Sequence, residues 1–249
     1  FRTSFTNSQP TLALGKPMVD RGHKRAVWIT WNYAAGDEAF EGFEQSYTAA
    51  GGTIVRKLGL PFPNVEFQAL LTEIASLRPD AVACFFAGAG AAKFLRDYAA
   101  AGLNRSIQLW GSGFLTEGVL DAAGDAANGV LTTMHYSDSL DTPRNKKFRL
   151  EYAKAFRMQP DVYAVQGYDT GLLLIQGANA VGGDLSNKQA LYAAMRGATI
   201  DSPRGKWTMS KAHNPIQDIY LREVVGRENK VIGIAQKAVE DPGTGCRMA

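Results

Sequence analysis

Apolar positions along this chain switch repeatedly between two periods. Ala26–Thr30 (AVWIT) is a strand-like run, and after a Gly/Asp break Phe40, Phe43 and Tyr47 share one helical face. Thr53–Leu58 returns to the strand pattern. Past Pro61 and Pro63, residues Phe67, Leu70, Leu71, Ile74 and Leu77 follow the spacing of an amphipathic helix, which Pro79-Asp80 stops. Ala81–Phe86 predicts a third strand. Phe94, Leu95 and Tyr98 predict a third helix, with Gly102 just past its end, where a left-handed backbone suits glycine. Ile107–Trp110 and Val130–Met134 predict two more strands on either side of a short helix near Glu117–Ala123. Thr142-Pro143 then supplies an N-cap and a proline at the first helical position, opening a helix with Phe148, Tyr152 and Phe156 in line. Strands alternating with helices at this spacing give an α/β fold with a doubly wound parallel sheet.

The alternation fails after Asp161, where two helical patterns follow one another without a strand. The first carries Tyr163, Val165, Tyr168, Leu172, Leu173, Ile175 and Val181, apolar over more than one stripe, which predicts a helix covered on several sides. The second, read as capped by Ser186, carries Leu191 and Met195. Gly205–Met209 and Ile216–Val225 then read as an antiparallel pair joined by the turn-forming Ala212-His213-Asn214-Pro215.

Composition narrows the function. With 249 residues, 45% hydrophobic and 20% charged, the chain is ordinary globular protein. A net charge of +3 and no dense Lys/Arg stripe with interleaved aromatics argue against a nucleic-acid partner. No apolar run approaches the roughly 18–20 residues that span a bilayer. The opening Phe1-Arg2-Thr3-Ser4 reads like the interior of a domain, so a leader or a larger segment is expected to precede it. Cys84, inside an apolar run, reads as a small buried hydrophobe. Cys246, in a Gly/Pro-rich tail, reads as a disulfide partner in an oxidising compartment, bonded outside this chain while Cys84 stays reduced.

In an open parallel sheet, ligands bind beyond the carboxyl ends of the strands. Those ends offer Trp31, Asn32 and Tyr33, then Ala87 and Gly88, then Ser112 and Phe114, and finally His135 and Tyr136, which together form the candidate ligand-binding set. Aromatic faces with a few polar anchors suit a small-molecule cleft, although the same rings could simply cap the sheet. The Gly-rich stretch from Gly88 and the Ala34-Ala35-Gly36 stretch lead straight into helices. Their free backbone N–H groups can receive an anion, unless the glycines serve only to permit tight turns. Enzyme patterns fail on these loops. Gly88-Ala89-Gly90 has Lys93 where a dinucleotide fingerprint needs its third glycine, and Gly111-Ser112-Gly113 lacks the outer glycines of a nucleophile elbow. His23, His135 and His213 lack metal-type spacing. The reading is therefore non-enzymatic, with no catalytic residue, no cofactor and no metal.

Several segments resemble the type I periplasmic binding proteins of the branched-chain amino-acid (Leu/Ile/Val-binding) family. They are FRTSF at the start, RAVWITWNYAAGDEAFEGF, RPDAVACFFAGAGAAKFLRDYAAAGL, IQLWGSGFLTEGVL, YAVQGYDTGLLLIQGANAVGG and SPRGKWTMSKAHNPIQDIYLREVV. In order and spacing they cover nearly the whole chain. The resemblance implies two lobes joined by three hinge strands, of which this chain supplies the C-terminal lobe (1–160 and 203–249), with FRTSF as the first crossing strand. Residues 161–202 would be helices returning to a mostly missing N-terminal lobe, so another polypeptide, either that lobe or another copy, is expected to cover them. It further implies a periplasmic solute-binding protein that closes by hinge motion around its ligand and delivers it to an ABC permease. Amino-acid-binding members place an acid for the ligand's ammonium on the loop read here as Gly111–Phe114, and this sequence has none; Ala35 stands where the usual tyrosine precedes glycine. Members with a similar ITWNYAAGDE stretch bind aromatic acids, so an aromatic carboxylate is the implied ligand. A branched-chain or other amino acid is the alternative ligand, and a ligand-sensing domain of a receptor or regulator is the alternative role.

Overall fold

The computed structural model describes residues 1–246. Among these the strands are β1 (Arg25–Asn32), β2 (Thr53–Pro61), β3 (Ala81–Phe85), β4 (Gln108–Ser112), β5 (Leu131–Met134), β6 (Thr199–Ser202), β7 (Gly205–Met209), β8 (Pro215–Val225) and β9 (Glu228–Val239). The α-helices are α1 (Ser8–Leu12), α2 (Gly15–Asp20), α3 (Ala34–Ala49), α4 (Gln68–Leu77), α5 (Gly88–Ala100), α6 (Leu120–Ala123), α7 (Pro143–Phe156), α8 (Val162–Ala180) and α9 (Lys188–Arg196). The residues gather into two compact units, one of Asn7–Met134 with Ile219–Ala235, the other of Phe1–Thr6, His135–Asp218 and residues 236–246.

The first unit holds the doubly wound sheet. Its strands run β2-β1-β3-β4-β5, all neighbours parallel, and β5 is bordered by an antiparallel β8 from Leu131↔Glu223 to Met134↔Tyr220. Strand parity sorts the side chains. Val27, Ile29 and Trp31 of β1 join Val82 and Cys84 of β3 in a core with Phe67, Leu71 and Ile74 of the α4 region and Phe94, Leu95 and Tyr98 of α5. Ala26 and Trp28 turn the other way, with Ala81, Ala83 and Phe85, onto Met18 of α2 and Phe43 and Tyr47 of α3. Both sheet faces are therefore covered, which is why the central strands are apolar at nearly every position. Gly102 has φ +73° just past α5, as expected.

In the second unit, β6, β7 and the start of β8 form an antiparallel ribbon. Ile200, Trp207 and Met209 pack on Leu173 of α8 and Met195 of α9. Thr142 caps α7 by accepting from Asn145 N at 3.1 Å, with Pro143 at the first position. Two expectations need correction here. The cap of α9 is Asn187, whose Oδ1 accepts from Ala190 N at 3.1 Å, while Ser186 turns back to Asp184. The opening Phe1–Phe5 forms no strand. Its backbone is held instead by Arg204 Nη2 on Thr3 O (2.7 Å), Gln217 Nε2 on Ser4 O (3.0 Å) and Arg2 N on His213 O (3.0 Å). Arg204 is itself buried against Asp169, whose Oδ2 lies 2.9 Å from Arg204 Nε and accepts from Ser202 Oγ and Trp207 Nε1. Burial raises the pKa of the Asp169 carboxyl, against the opposing pull of Arg204 and these donors. Helix α8 buries one stripe, Val162, Val165, Asp169, Leu173 and Gly177, and leaves Tyr163, Leu174 and Ile175 more than half exposed.

Candidate ligand-binding site

Two strands extend further than their apolar runs predict, and this decides which candidates are accessible. β1 continues to Asn32 because β2 keeps pairing with it, Trp31↔Leu60 and Asn32↔Pro61. Parity then turns Trp31 inward with Val27 and Ile29. It is 3% exposed, its Nε1 donates to Asn64 O at 2.7 Å, and its ring meets Phe86 edge-on at 4.9 Å. β4 likewise continues through Ser112, which is buried, and its Oγ has no hydrogen-bond partner among the described residues. Trp31 and Ser112 thus lie beneath the carboxyl edge, whereas Asn32 and Gly88 are exposed on it and Tyr33, Ala87 and Phe114 are half-buried.

Rings form a continuous line along this edge. Phe62, just past the end of β2, stacks on Tyr33 at 5.0 Å and 11° and meets Trp31 edge-on at 5.4 Å. Tyr33 lies 6.4 Å from Phe85, and Phe85 meets Phe114 edge-on at 5.9 Å. Phe62 is 56% exposed, the most accessible ring of the group, and sequence reasoning missed it because Pro61 and Pro63 make it look like connecting loop. Burial raises the pKa of the Tyr33 phenol, so the hydroxyl is neutral at pH 7 and can donate.

Two helices begin at this edge. Tyr33 and Ala87 precede α3 and α5 in extended conformation, and neither helix has a side-chain cap. The first amide bonded back into each helix is Asp37 N to Tyr33 O and Ala91 N to Ala87 O, so the N–H groups of 34–36 and 88–90 lack intrahelical acceptors. Gly88 has φ +57°, which disfavours any side chain, and a Cβ on Gly90 would lie 2.5 Å from the Trp31 ring. Small residues here thus let the backbone sit on Trp31, with Ala34, Gly88 and Ala89 exposed at the two helix starts.

The acids adjoining these loops are already engaged. Asp37, in the first turn of α3, pairs with Lys57 of β2 at 3.3 Å. Glu117, the last residue of the turn that carries Phe114, pairs with the buried Arg222 at 3.0 Å. His135 and Tyr136 belong to the other unit and are both buried. The His135 ring lies 4.9 Å from Phe5 with Nε2 3.2 Å from Gln166 Nε2, and Tyr136 donates to Asn145 Oδ1 at 2.9 Å. Among the described residues no group of three or more His, Cys, Asp or Glu side chains is placed to hold a metal, and no helix is long and apolar enough to cross a membrane.

Comparison with known proteins fits this architecture. A Leu/Ile/Val-binding protein homolog 6 from Brucella melitensis is 33% identical over 253 residues, covering 97% of this chain and 64% of its own length. The chain thus spans less than two thirds of that relative. A solute-binding protein of an ABC transporter from R. palustris, solved with benzoate, is 50% identical with a TM-score of 0.90, over 99% of this chain and 68% of that one. Another from Rhodopseudomonas palustris BisB5, solved with 3,4-dihydroxybenzoic acid, is 33% identical with a TM-score of 0.85, over 97% and 68%. The periplasmic binding protein family model matches residues 1–229. With its doubly wound parallel sheet and this span of sequence, the chain belongs to the periplasmic binding protein family.

Proposed function

We propose that this chain is the greater part of a periplasmic solute-binding protein that captures a small aromatic carboxylate and passes it to an ABC permease, without catalysing a reaction. The observation that carries the ligand class is the pairing of rings and acids at the carboxyl edge of the sheet. Tyr33, Phe62 and Phe114 offer faces for an aromatic ring, while Asp37 and Glu117 are held by Lys57 and Arg222. A ligand ammonium buried there without a carboxylate partner would cost several kcal/mol, on the order of an unpaired charge. A ligand carboxylate, by contrast, can be received by the free amides at 34–36 or 88–90. Ring stacking adds about 0.5–1.5 kcal/mol per pair beyond area burial. The benzoate and dihydroxybenzoate bound by the two R. palustris proteins support the same class. An amino-acid ligand is the second reading, favoured by the name of the Brucella relative.

Most of the remaining candidates take supporting places in this proposal. Trp31 and Ser112 form the floor, and Asn32, Ala87 and Gly88 line the edge; His135 and Tyr136, buried in the other unit, take no part in it. The exposed Tyr163, Leu174 and Ile175 of α8, with relatives longer than this chain, support residues 161–202 being covered by an N-terminal lobe or another copy; closure of two lobes on the ligand follows from that arrangement. Mass spectrometry of the small molecules released on denaturing the full-length protein tests the ligand class. A benzoate-type acid is expected. Leucine or valine as the sole released species contradicts the proposal.

A further inference from the structure

We infer that Arg222 is a positioning residue for the ligand site: its guanidinium fixes the turn Gly113–Glu117 that presents Phe114. The inference rests on the proposed role of that turn in ligand binding.

The sheet does not hold this turn. Pairing of β4 ends at Cys84↔Gly111 on one side and at Ser112↔Thr133 on the other. Beyond Ser112 the chain closes on a single carbonyl, Gly113 O, which accepts from Thr116 N and Glu117 N, both at 3.1 Å. Arg222 lies on β8, opposite Thr132 of β5, and its side chain is 1% exposed. A cation at that depth persists only when its donors are met. Its Nε donates to Thr132 Oγ1 at 3.2 Å and its Nη1 to Glu117 Oε2 at 3.0 Å. Its Nη2 reaches Gly113 O at 3.2 Å and Thr116 Oγ1 at 3.4 Å.

One planar group therefore crosses β5 and binds the turn at its first, fourth and fifth residues. Gly113 is also packed so closely on Met134 of β5 that a Cβ would lie 2.7 Å from it. Phe114 sits between these fixed points, with its ring edge-on to Phe85. The same contact occupies Glu117, so Arg222 both sets the aromatic wall and withholds the adjoining carboxylate from the cleft. A purely structural ion pair would contribute to stability alone and leave ligand affinity of the folded protein untouched.

The test uses the full-length protein with Arg222→Lys and Thr116→Val. Lysine keeps the charge facing Glu117 but cannot serve four acceptors in one plane. Valine removes one acceptor and keeps the shape. Benzoate affinity is measured by calorimetry well below the unfolding transition, alongside amide hydrogen exchange at 113–117. The Lys variant is expected to weaken benzoate binding by about tenfold and the Val variant by roughly threefold, each with faster exchange in the turn. A folded variant with unchanged benzoate affinity overturns the inference, whatever its melting temperature. If Arg222→Lys does not fold, Thr116→Val decides alone. Should the wild type bind no benzoate, the proposed ligand class falls, and unchanged exchange at 113–117 would then separately overturn the positioning role.

Discussion

Replacing Trp31 by alanine and, separately, Phe62 by alanine separates the floor of the proposed site from its wall. Trp31 is 3% exposed, supports Gly90 at the start of α5, and anchors Asn64 O through its indole N–H. Removing a buried tryptophan costs about 3–5 kcal/mol, because the surrounding core relaxes only in part. Phe62 is 56% exposed, so its loss should cost about 1 kcal/mol of stability or less. It should nevertheless remove the outer ring of the Tyr33–Phe62 stack, and with it about 1.4 kcal/mol of aromatic-acid binding, a factor of about ten. Urea unfolding gives the first quantity and calorimetric titration with benzoate the second. The reasoning fails if Trp31→Ala leaves stability within about 1 kcal/mol of wild type. It fails equally if Phe62→Ala binds benzoate as the wild type does.

Other consequences follow from the polar core. His23 accepts the indole N–H of Trp110 through Nδ1 at 3.1 Å, and burial lowers its pKa. A base depressed in the fold contributes stability above its unfolded pKa of about 6.5 that is lost as pH falls through the folded value. The urea midpoint should therefore drop between neutral pH and pH ~5, with a smaller drop in His23→Gln; an identical drop in both would contradict this. Arg204→Met leaves Asp169 buried without its cation and releases the Thr3 carbonyl, which should cost about 3–5 kcal/mol by chemical denaturation. Cys84 is buried with its thiol pKa raised well above the ordinary range, whereas Cys246 is half-buried and unpaired in this chain. Iodoacetamide should label Cys246 and spare Cys84 in this chain under native conditions. In oxidised full-length protein Cys246 should be protected, and its labelling there would refute a disulfide to a residue outside the chain.

The sheet was legible because burial on both faces writes apolar runs into its central strands, clearest in β1 and β3, while β2, a partly exposed edge strand, carries Arg56 and Lys57 and is marked by Thr53-Ile54-Val55 at its start. What the runs could not give was where pairing stops. β1 and β4 continue past their last branched residue because their neighbours keep pairing, so Trp31 and Ser112 are buried strand residues and not loop. The parity of Val27, Ile29 and Trp31 carried that information and is the signal that would have found it. Phe62 was hidden by its prolines, and Arg222 by its place in a strand that also carries Asp218 and Glu223, where one charge has meaning only once Glu117, distant in sequence, is known to face it. β6, at four residues, is too short for periodicity to register. β9 mixes lysines with exposed Ile232 and Ile234 and has no clean alternation. The apolar character of α8 was legible, but among the described residues one stripe of it finds a core.

On the proposed reading, the carboxyl edge of this sheet receives an aromatic carboxylate and not an ammonium-bearing ligand. Calorimetric titration of the full-length protein with benzoate and with leucine under identical conditions tests it most directly. The account predicts saturable benzoate binding at least about tenfold tighter than leucine. Tight leucine binding with no heat from benzoate would contradict it.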